Sequence, residues 1–533
     1  MDRRRFLGAM GVAAAGTALS ACGGVGNAAG KPGATVKPPV SVPFTGVKAD
    51  LAGEASVAIP PGFYHYPANP VQFVSHPPGD GGPVSMLLQA DSPPLSLGSN
   101  RWWQALNRAL NAQVNINVTP FSQYNDKFTV VTAGRDIPDV AMIAPIPGEL
   151  QILEKEFTDL SPYLSGDKVK EYPGLASFPT PSWQVSTLGG RIWGVPQPRP
   201  ASGAILNYRG DLLEQHGIAS PDLRDGKDLL NLCKELTDSK HNVWALGEQP
   251  TGFILPLILE MLGAPNSWEL QGGKFTSVYE SEQMKEALNI VTQIWSSGYV
   301  EPDSFASPAD DYAWWEGGRI SLLAEQVANW GGLMTTYPSF KIGVIRLPKW
   351  NGGGYAKKLL TQAGYGDFVG FKKASPKRIR ELLRITNYLA APFGTKEFLT
   401  VNYGVSGWDY QLRGSDPVPT SKAKSETLPI AYAGSQGLYA LYSPLTSDNV
   451  KTQYEYLKAV MPTGVHNPTQ GLYSPTSLTT GASAAKTLQN VEEDIIQGRS
   501  SISAWDSAVK TWRQQAGDKM AREYEQAYAK LHP

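Results

Sequence analysis

The sequence predicts an α/β fold built on a parallel sheet covered on both faces, and three observations lead there. Between Val84 and Ala144, apolar runs of strand length alternate with runs of helical period, in the order strand, helix, strand, helix, strand. A chain of 533 residues, 41% hydrophobic and 18% charged, can bury a large core, and that length favours two or more domains. A stretch punctuated by Pro196, Pro198 and Pro200 then reads as a crossing, with a fresh apolar strand beyond it at Ala204–Asn207.

The elements follow in order. Val84–Gln89 is a short apolar strand, Asp91–Asn100 a loop, and Arg101–Leu110 a helix with Asn100 as its cap. Val114–Thr119 is a second strand, Tyr124–Ala133 a helix, and Ile137–Ala144 a third strand entered through Pro138. Ligands of parallel sheets sit beyond the carboxyl ends of the strands, which puts Ser99–Trp103 and Ala144–Gly148 at a binding mouth. After the crossing, Asp211 is placed to cap a helix that Gly217 stops. The next helix turns Leu229, Leu232, Cys233 and Leu236 inward. Trp244–Glu248 reads as strand and loop, Phe253–Leu262 as an apolar helix, and Glu282–Ser297 as an amphipathic helix with Met284, Leu288, Val291 and Trp295 inward.

The first 83 residues read differently. Arg3-Arg4-Arg5-Phe6-Leu7 is a twin-arginine export pattern, and the apolar run Gly8–Leu19 is too short to span a bilayer. Leu19-Ser20-Ala21-Cys22 is similar to a lipobox, which implies cleavage before Cys22 and lipidation of its thiol. Residues 1–21 are then a signal peptide and residues 22–83 a tether with an extended, proline-rich second half. The one other cysteine, Cys233, has no intramolecular partner and reads as a small buried hydrophobe.

Composition narrows the function classes. Net charge is −1; the signal peptide carries three arginines and Asp2, net +2, which leaves −3 for the rest. Without clustered Lys and Arg there is no nucleic-acid footprint. No G-x-x-x-x-G-K-[ST], no H-E-x-x-H and no Cys/His ligand cluster occurs, so no cofactor or metal is expected. Fourteen Trp and 23 Tyr are many, and about two-thirds of them are assigned to packing.

Gly190, Trp193, Gly194, Val195 and Pro196, then Tyr208, Asp211 and Leu212, resemble the G-K-x-Y/W-G-V-P turn and x-Y-x-x-D-L segment of extracellular solute-binding proteins of ABC importers, in their oligosaccharide-binding branch. Pro138-Asp139-Val140, Phe157–Leu164, Trp314–Ala324 and Lys341–Pro348 resemble further segments of that family. So do Asp367–Lys373 with the helix Pro376–Ala390. Asn402–Tyr410 resembles the Y-G-x-E-G-x-x-Y segment of its larger lipoproteins, with Ser406 where the acid stands. Val491–Ser500 and Ser503–Leu531 resemble their C-terminal ending.

The resemblance implies a two-lobed periplasmic-binding-protein fold, type II-like, whose discontinuous lobes are joined by a hinge. Residues 84–198 and 348–405 would form the first lobe, 199–347 and 406–533 the second with the C-terminal helices. It implies a monomer, lipid-anchored outside the cell, that captures an oligosaccharide and delivers it to ABC permease subunits. Sugar rings present C–H faces to aromatics and hydroxyls to polar side chains, and every polar group that loses water must be paired. The expected stackers are Trp102 or Trp103, Trp193, Tyr208, Trp244, Trp330 and Trp408. Asn100, Gln197, Gln249 and Asp367 are the expected hydrogen-bonders. Trp102 and Trp103 are adjacent on a helix, so at most one faces a cleft.

Other functions leave weaker traces. Ser447-Asp448-Asn449 and Ser483-x-x-Lys486 hint at a serine acyltransferase, but their order is reversed and no K-T-G follows. A lipid-anchored glycoside hydrolase needs only two carboxylates on different loops, such as Asp310, Asp311 or Glu316. A receptor for a peptide or another polar solute is the third reading.

Overall fold

The computed structural model describes residues 36–533 except 91–92, 308–309, 362–363, 427–432, 435–438 and 532–533, and the side chains of 121–122, 364–367 and 424. The twin-arginine pattern and Cys22 lie outside the described residues. Eight strands build the two largest sheets. They are β1 (Pro83–Gln89), β2 (Gln113–Thr119), β3 (Val140–Met142), β4 (Gly194–Pro198), β5 (Ala204–Tyr208), β6 (Leu322–Gln326), β7 (Gly343–Ile345) and β8 (Gly364–Phe371).

Val84, Met86, Leu87 and Leu88 of β1 are all buried, the pattern of a strand covered on both faces. β1 pairs in parallel with β2 and β3, and the helices Arg101–Leu110 and Phe121–Ala133 make the crossovers. The whole sheet has the order β2-β1-β3-β8-β4. β8 is antiparallel to both of its neighbours. It brings the chain back from the second lobe, so it enters the sheet from the opposite end.

The second lobe is smaller in its sheet and richer in helices. Its three strands run in the order β6-β5-β7, antiparallel throughout. One face packs on Leu255–Met261, Glu282–Ser296 and Thr480–Ile496, with Cys233 fully buried among them. The other face packs on Val327–Thr336 and Ser447–Val460 through Trp314, Trp315, Trp330 and Leu457.

The crossings between lobes are fixed by backbone contacts. Thr361 N–H donates to Ala201 O at 2.8 Å. Gly203 has φ +40°, and a Cβ there would meet Leu359 O at 2.6 Å, so only glycine lets the two strands approach this closely. Lys358, itself buried, pairs with Glu260 at 2.9 Å and also donates to Ala204 O. One ion pair therefore ties both crossing strands to the helix Leu255–Met261.

Three sequence expectations need correction. Asp211 does not cap its helix: Gly210–Gln215 starts one residue earlier, and the Asp211 carboxylate pairs with Arg209 at 2.6 Å instead. The second part of the first lobe continues past 405. Trp408 packs beneath Arg101, Arg101 N–H donates to Glu426, and Ala433 belongs to the first-lobe core. The tether ends earlier than expected: residues 36–43 already lie on the body, where Val40 and Val42 N–H donate to Gly166 O and Ala176 O, and the extended segment from Phe44 to Pro83 continues along it. Val36 packs on the first lobe, Ala58 and Ile59 enter the second-lobe core beside Trp315, and Phe63 and Tyr66 pack on Phe393 and Phe398. Composition suggests disorder here because ten prolines and many glycine and polar residues dilute the apolar ones; Val36, Ala58, Ile59, Phe63 and Tyr66 are nevertheless placed against cores.

Candidate ligand cleft

Strand directions locate the edge where the lobes face each other. β4 leads directly into the crossing at Arg199–Gly203, and β1, β2 and β3 run parallel to it through the intervening antiparallel β8. The carboxyl ends of all four therefore point at the second lobe. Beyond the crossing β5 runs outward, so the antiparallel β6 and β7 bring their carboxyl ends back. Residues 244–248 run parallel to β6, and Glu248 accepts from Ala324 N–H, which brings Glu248, Gln249 and Thr251 to the same edge.

This geometry sorts the expected stackers. Trp193 precedes β4 and so lies at the remote end of the first sheet, buried, with its indole N–H donating to Leu188 O at 2.9 Å. Tyr208 ends β5, at the remote end of the second sheet, where its ring packs on Gly343. Trp244 opens the run toward Glu248, and it too is buried at the remote end, with Arg319 5.1 Å from its ring. Trp102 and Trp103 are both buried, and their N–H groups donate to Thr400 O and Val114 O at 3.0 and 2.9 Å. A ring packed on both sides cannot cover a sugar. Trp408 is half-buried, with the Arg101 guanidinium 3.7 Å from its ring centroid and its N–H bonded to Glu426 at 2.9 Å. Trp330 stands at the correct edge, in the first turn after β6, yet is buried edge-to-face against Tyr456 at 5.7 Å.

Of the expected hydrogen-bonders, Asn100 is fully buried and fully used. Its side chain accepts from Trp103 N–H at 2.9 Å and donates to Glu426 O at 2.9 Å, the work of a helix cap. Gln197 and Gln249 both lie at the facing edge. Gln249 is half-buried and 3.5 Å from Glu493. The side chain of Asp367 lies outside the described residues.

Gln197 carries the clearest signal. It is 1% exposed, and neither amide atom has a hydrogen-bond partner among the described residues. The Thr251 hydroxyl and the Trp330 indole N–H, also buried, are in the same condition. A buried polar atom without a partner costs about 1–3 kcal/mol, so three such residues at one edge are a standing cost that a ligand rich in hydroxyls could relieve.

Carboxyl groups gather beside them. Glu248, fully buried, accepts from Ala324 and Gly247 N–H, and burial together with the charge of Asp311 pushes its pKa up to about 7, against the backbone hydrogen bonds. Glu325 accepts from the Tyr312 hydroxyl and from Gln326 N–H, and burial raises its pKa as well. Across the edge, Glu149 opens the helix Glu149–Glu156 behind β3, and burial alone moves it to about 7. Glu248, Thr251, Tyr312 and Glu325 escaped the sequence reading. An acid closing an otherwise apolar strand, as Glu325 does after Leu322–Ala324, is the signal that could have found one of them.

The Ser483–Lys486 pair of the acyltransferase reading does not form. Lys486 bonds Gln489 at 3.2 Å rather than a serine, and Glu316 bonds the Tyr337 hydroxyl. No helix among the described residues is long and apolar enough to cross a membrane, and no group of three or more metal-ligating side chains occurs among them.

Comparison with known proteins agrees with this architecture. Residues 99–392 match the family model of the bacterial extracellular solute-binding proteins. Among curated proteins of Bacillus subtilis (strain 168), the polygalacturonan/rhamnogalacturonan-binding protein YtcQ is 23% identical over 467 residues, 83% of this chain and 90% of that one. Lipoprotein LipO is 23% identical over 476 residues, 84% of this chain and 91% of that one. Among solved structures, the alginate-binding protein AlgQ2 superposes with a TM-score of 0.62 at 15% identity, covering 86% of this chain and 99% of that one. With the match spanning more than half of its length and the two-lobed fold in place, the chain belongs to the bacterial extracellular solute-binding proteins.

Proposed function

We infer that the protein captures an oligosaccharide between its lobes and passes it, chemically unchanged, to the permease of an ABC importer. The observation that carries this reading is the set of buried polar atoms at the facing edge, in Gln197, Thr251 and Trp330, that await partners. Hydroxyl groups supply both donors and acceptors, so a sugar can meet an amide, a hydroxyl and an indole N–H at once. A ligand touching both edges favours the closed arrangement of lobes joined by crossings, and closure presents the combined surface to the permease. Export by the twin-arginine signal and anchoring through lipid on Cys22 complete the reading; the name of the relative LipO supports the anchor. Permease and ATPase would be separate chains, and the receptor would act as a monomer.

The test is incubation of the purified chain from Cys22 onward with a panel of oligosaccharides. A receptor melts at higher temperature with its ligand, by about 3 kcal/mol of added stability at a hundredfold excess over Kd, and releases no product. New reducing ends would instead establish a glycosidase. Stabilisation by peptides alone would redirect the reading to another solute.

A further inference from the structure

The facing edge of the second lobe is acidic without compensation. Glu248 and Glu325 are bonded only to neutral groups: backbone N–H of Ala324, Gly247 and Gln326, and the Tyr312 hydroxyl. Asp311 accepts from Tyr312 N–H at 2.8 Å and lies close enough to raise the pKa of both carboxyls. No Lys, Arg or His among the described residues pairs with any of the three. The nearby cations are engaged elsewhere: Lys358 pairs with Glu260, Arg346 donates to Ala459 O and lies over the Tyr355 ring, and Arg199 has an interaction of its own. The unpartnered, buried Thr251 hydroxyl lies three residues beyond Glu248, so the acids border a place where a polar ligand is expected.

We propose that the ligand is an oligosaccharide free of anionic groups, and that uronate, sulfate or phosphate on the sugars meeting the second lobe is rejected by Glu248, Asp311 and Glu325. This rests on the oligosaccharide reading and narrows it. A sugar hydroxyl can donate to a carboxylate or accept from a carboxylic acid, so neutral rings suit these side chains in either protonation state. A ligand carboxylate has no proton to donate to a carboxylate, so wherever these side chains are ionised it buries like charges together, and it can accept from them only by holding them protonated. At about 5 Å and an effective dielectric near 20, one such contact weakens binding by about two orders of magnitude. The assignment separates this chain's ligand from the acidic polysaccharides named for YtcQ, which it resembles in sequence, and AlgQ2, which it resembles in fold.

The experiment uses the full chain from Cys22 onward at pH 7.5 and physiological salt. Neutral tri- and tetrasaccharides (xylo-, manno-, gluco- and galacto-oligosaccharides) are compared with galacturonate and alginate oligomers of equal length, by melting and calorimetry. The expected result is a neutral ligand bound about a hundredfold more tightly than any uronate of its length. A uronate bound as tightly as the best neutral sugar overturns the proposal. Binding of neither set fails the oligosaccharide reading itself, and this one with it. In Glu325→Gln, checked for folding by its melting curve, the neutral-to-uronate ratio should fall about tenfold; an unchanged ratio removes Glu325 from the rejecting set.

Discussion

In the first lobe, Trp102, Trp103 and Trp193 donate their indole N–H groups to backbone carbonyls, and Asn100 spends its side chain on a helix cap and a neighbouring carbonyl. At the edge where the lobes face each other, Gln197 in β4 of the first lobe and Thr251 and Trp330 of the second keep buried polar atoms that nothing in the described protein satisfies. The first arrangement makes a rigid support whose polar groups are already committed. The second stores binding capacity at a cost to stability. The body of a lobe and its facing edge can thus divide the labour, the body holding shape and the edge holding the means of recognition.

The contrast can be broken at several points, beginning with the largest effect. Trp102→Ala removes a fully buried ring and orphans Thr400 O; it should lower unfolding free energy by about 4 kcal/mol in urea titration. Gln197→Leu should act in the opposite sense on stability and weaken binding. Relief of an unsatisfied amide adds about 1 kcal/mol in the same titration, while calorimetry with the cognate sugar should show about a thirtyfold loss of affinity. If stability falls instead, the amide is satisfied in solution and the contrast between body and facing edge is lost.

A third test separates burial from recognition. Glu492 lies on the second-lobe helix Thr480–Ile496, and burial, with the charge of Glu493, raises its pKa to about 7. A raised pKa means that the folded state holds the proton more tightly than the unfolded chain does. Its contribution is therefore present below about pH 4.5 and lost as pH rises through about 7. Glu492→Gln should remove this loss, so the variant gains on the parent between those limits by about 3 kcal/mol and the difference levels off above them. Denaturant melts at pH 4.5, 6 and 8 would measure it. The smallest effect is the control: Asp225→Ala removes a cap that accepts from Lys227 and Asp228 N–H, and should cost about 1 kcal/mol with no change in sugar affinity.

Much of the first lobe was legible in the sequence. The helix Arg101–Leu110 and its Asn100 cap follow from period and cap chemistry, and β1 follows from an apolar run too short for a helix. The prolines marked the crossing only in part: Pro196 and Pro198 pair with β8 in the edge strand β4, where proline is tolerated, and the crossing itself starts at Arg199. The site was read far less well. The motif around Trp193 marks the family yet lies at the remote end of its strand, and tryptophan is large enough to be drawn into any core that has room. Glu248, Asp311 and Glu325 meet only because separate strand and helix ends converge, and no linear spacing records that. Tyr208 was misplaced for a simpler reason: strand polarity beyond the crossing reverses, so nearness in sequence to β4 says nothing about nearness to the edge.

Residues 36–83 also set where the chain can be cut. A polypeptide begun at Val84, where the first strand opens, would lack Ala58 and Ile59 beside Trp315 and would strip Phe63 and Tyr66 from Phe393 and Phe398. Greasy gaps would open on both halves of the molecule, and the truncated product would tend to aggregate during expression. Material for crystallisation or calorimetry should therefore start upstream of Val36.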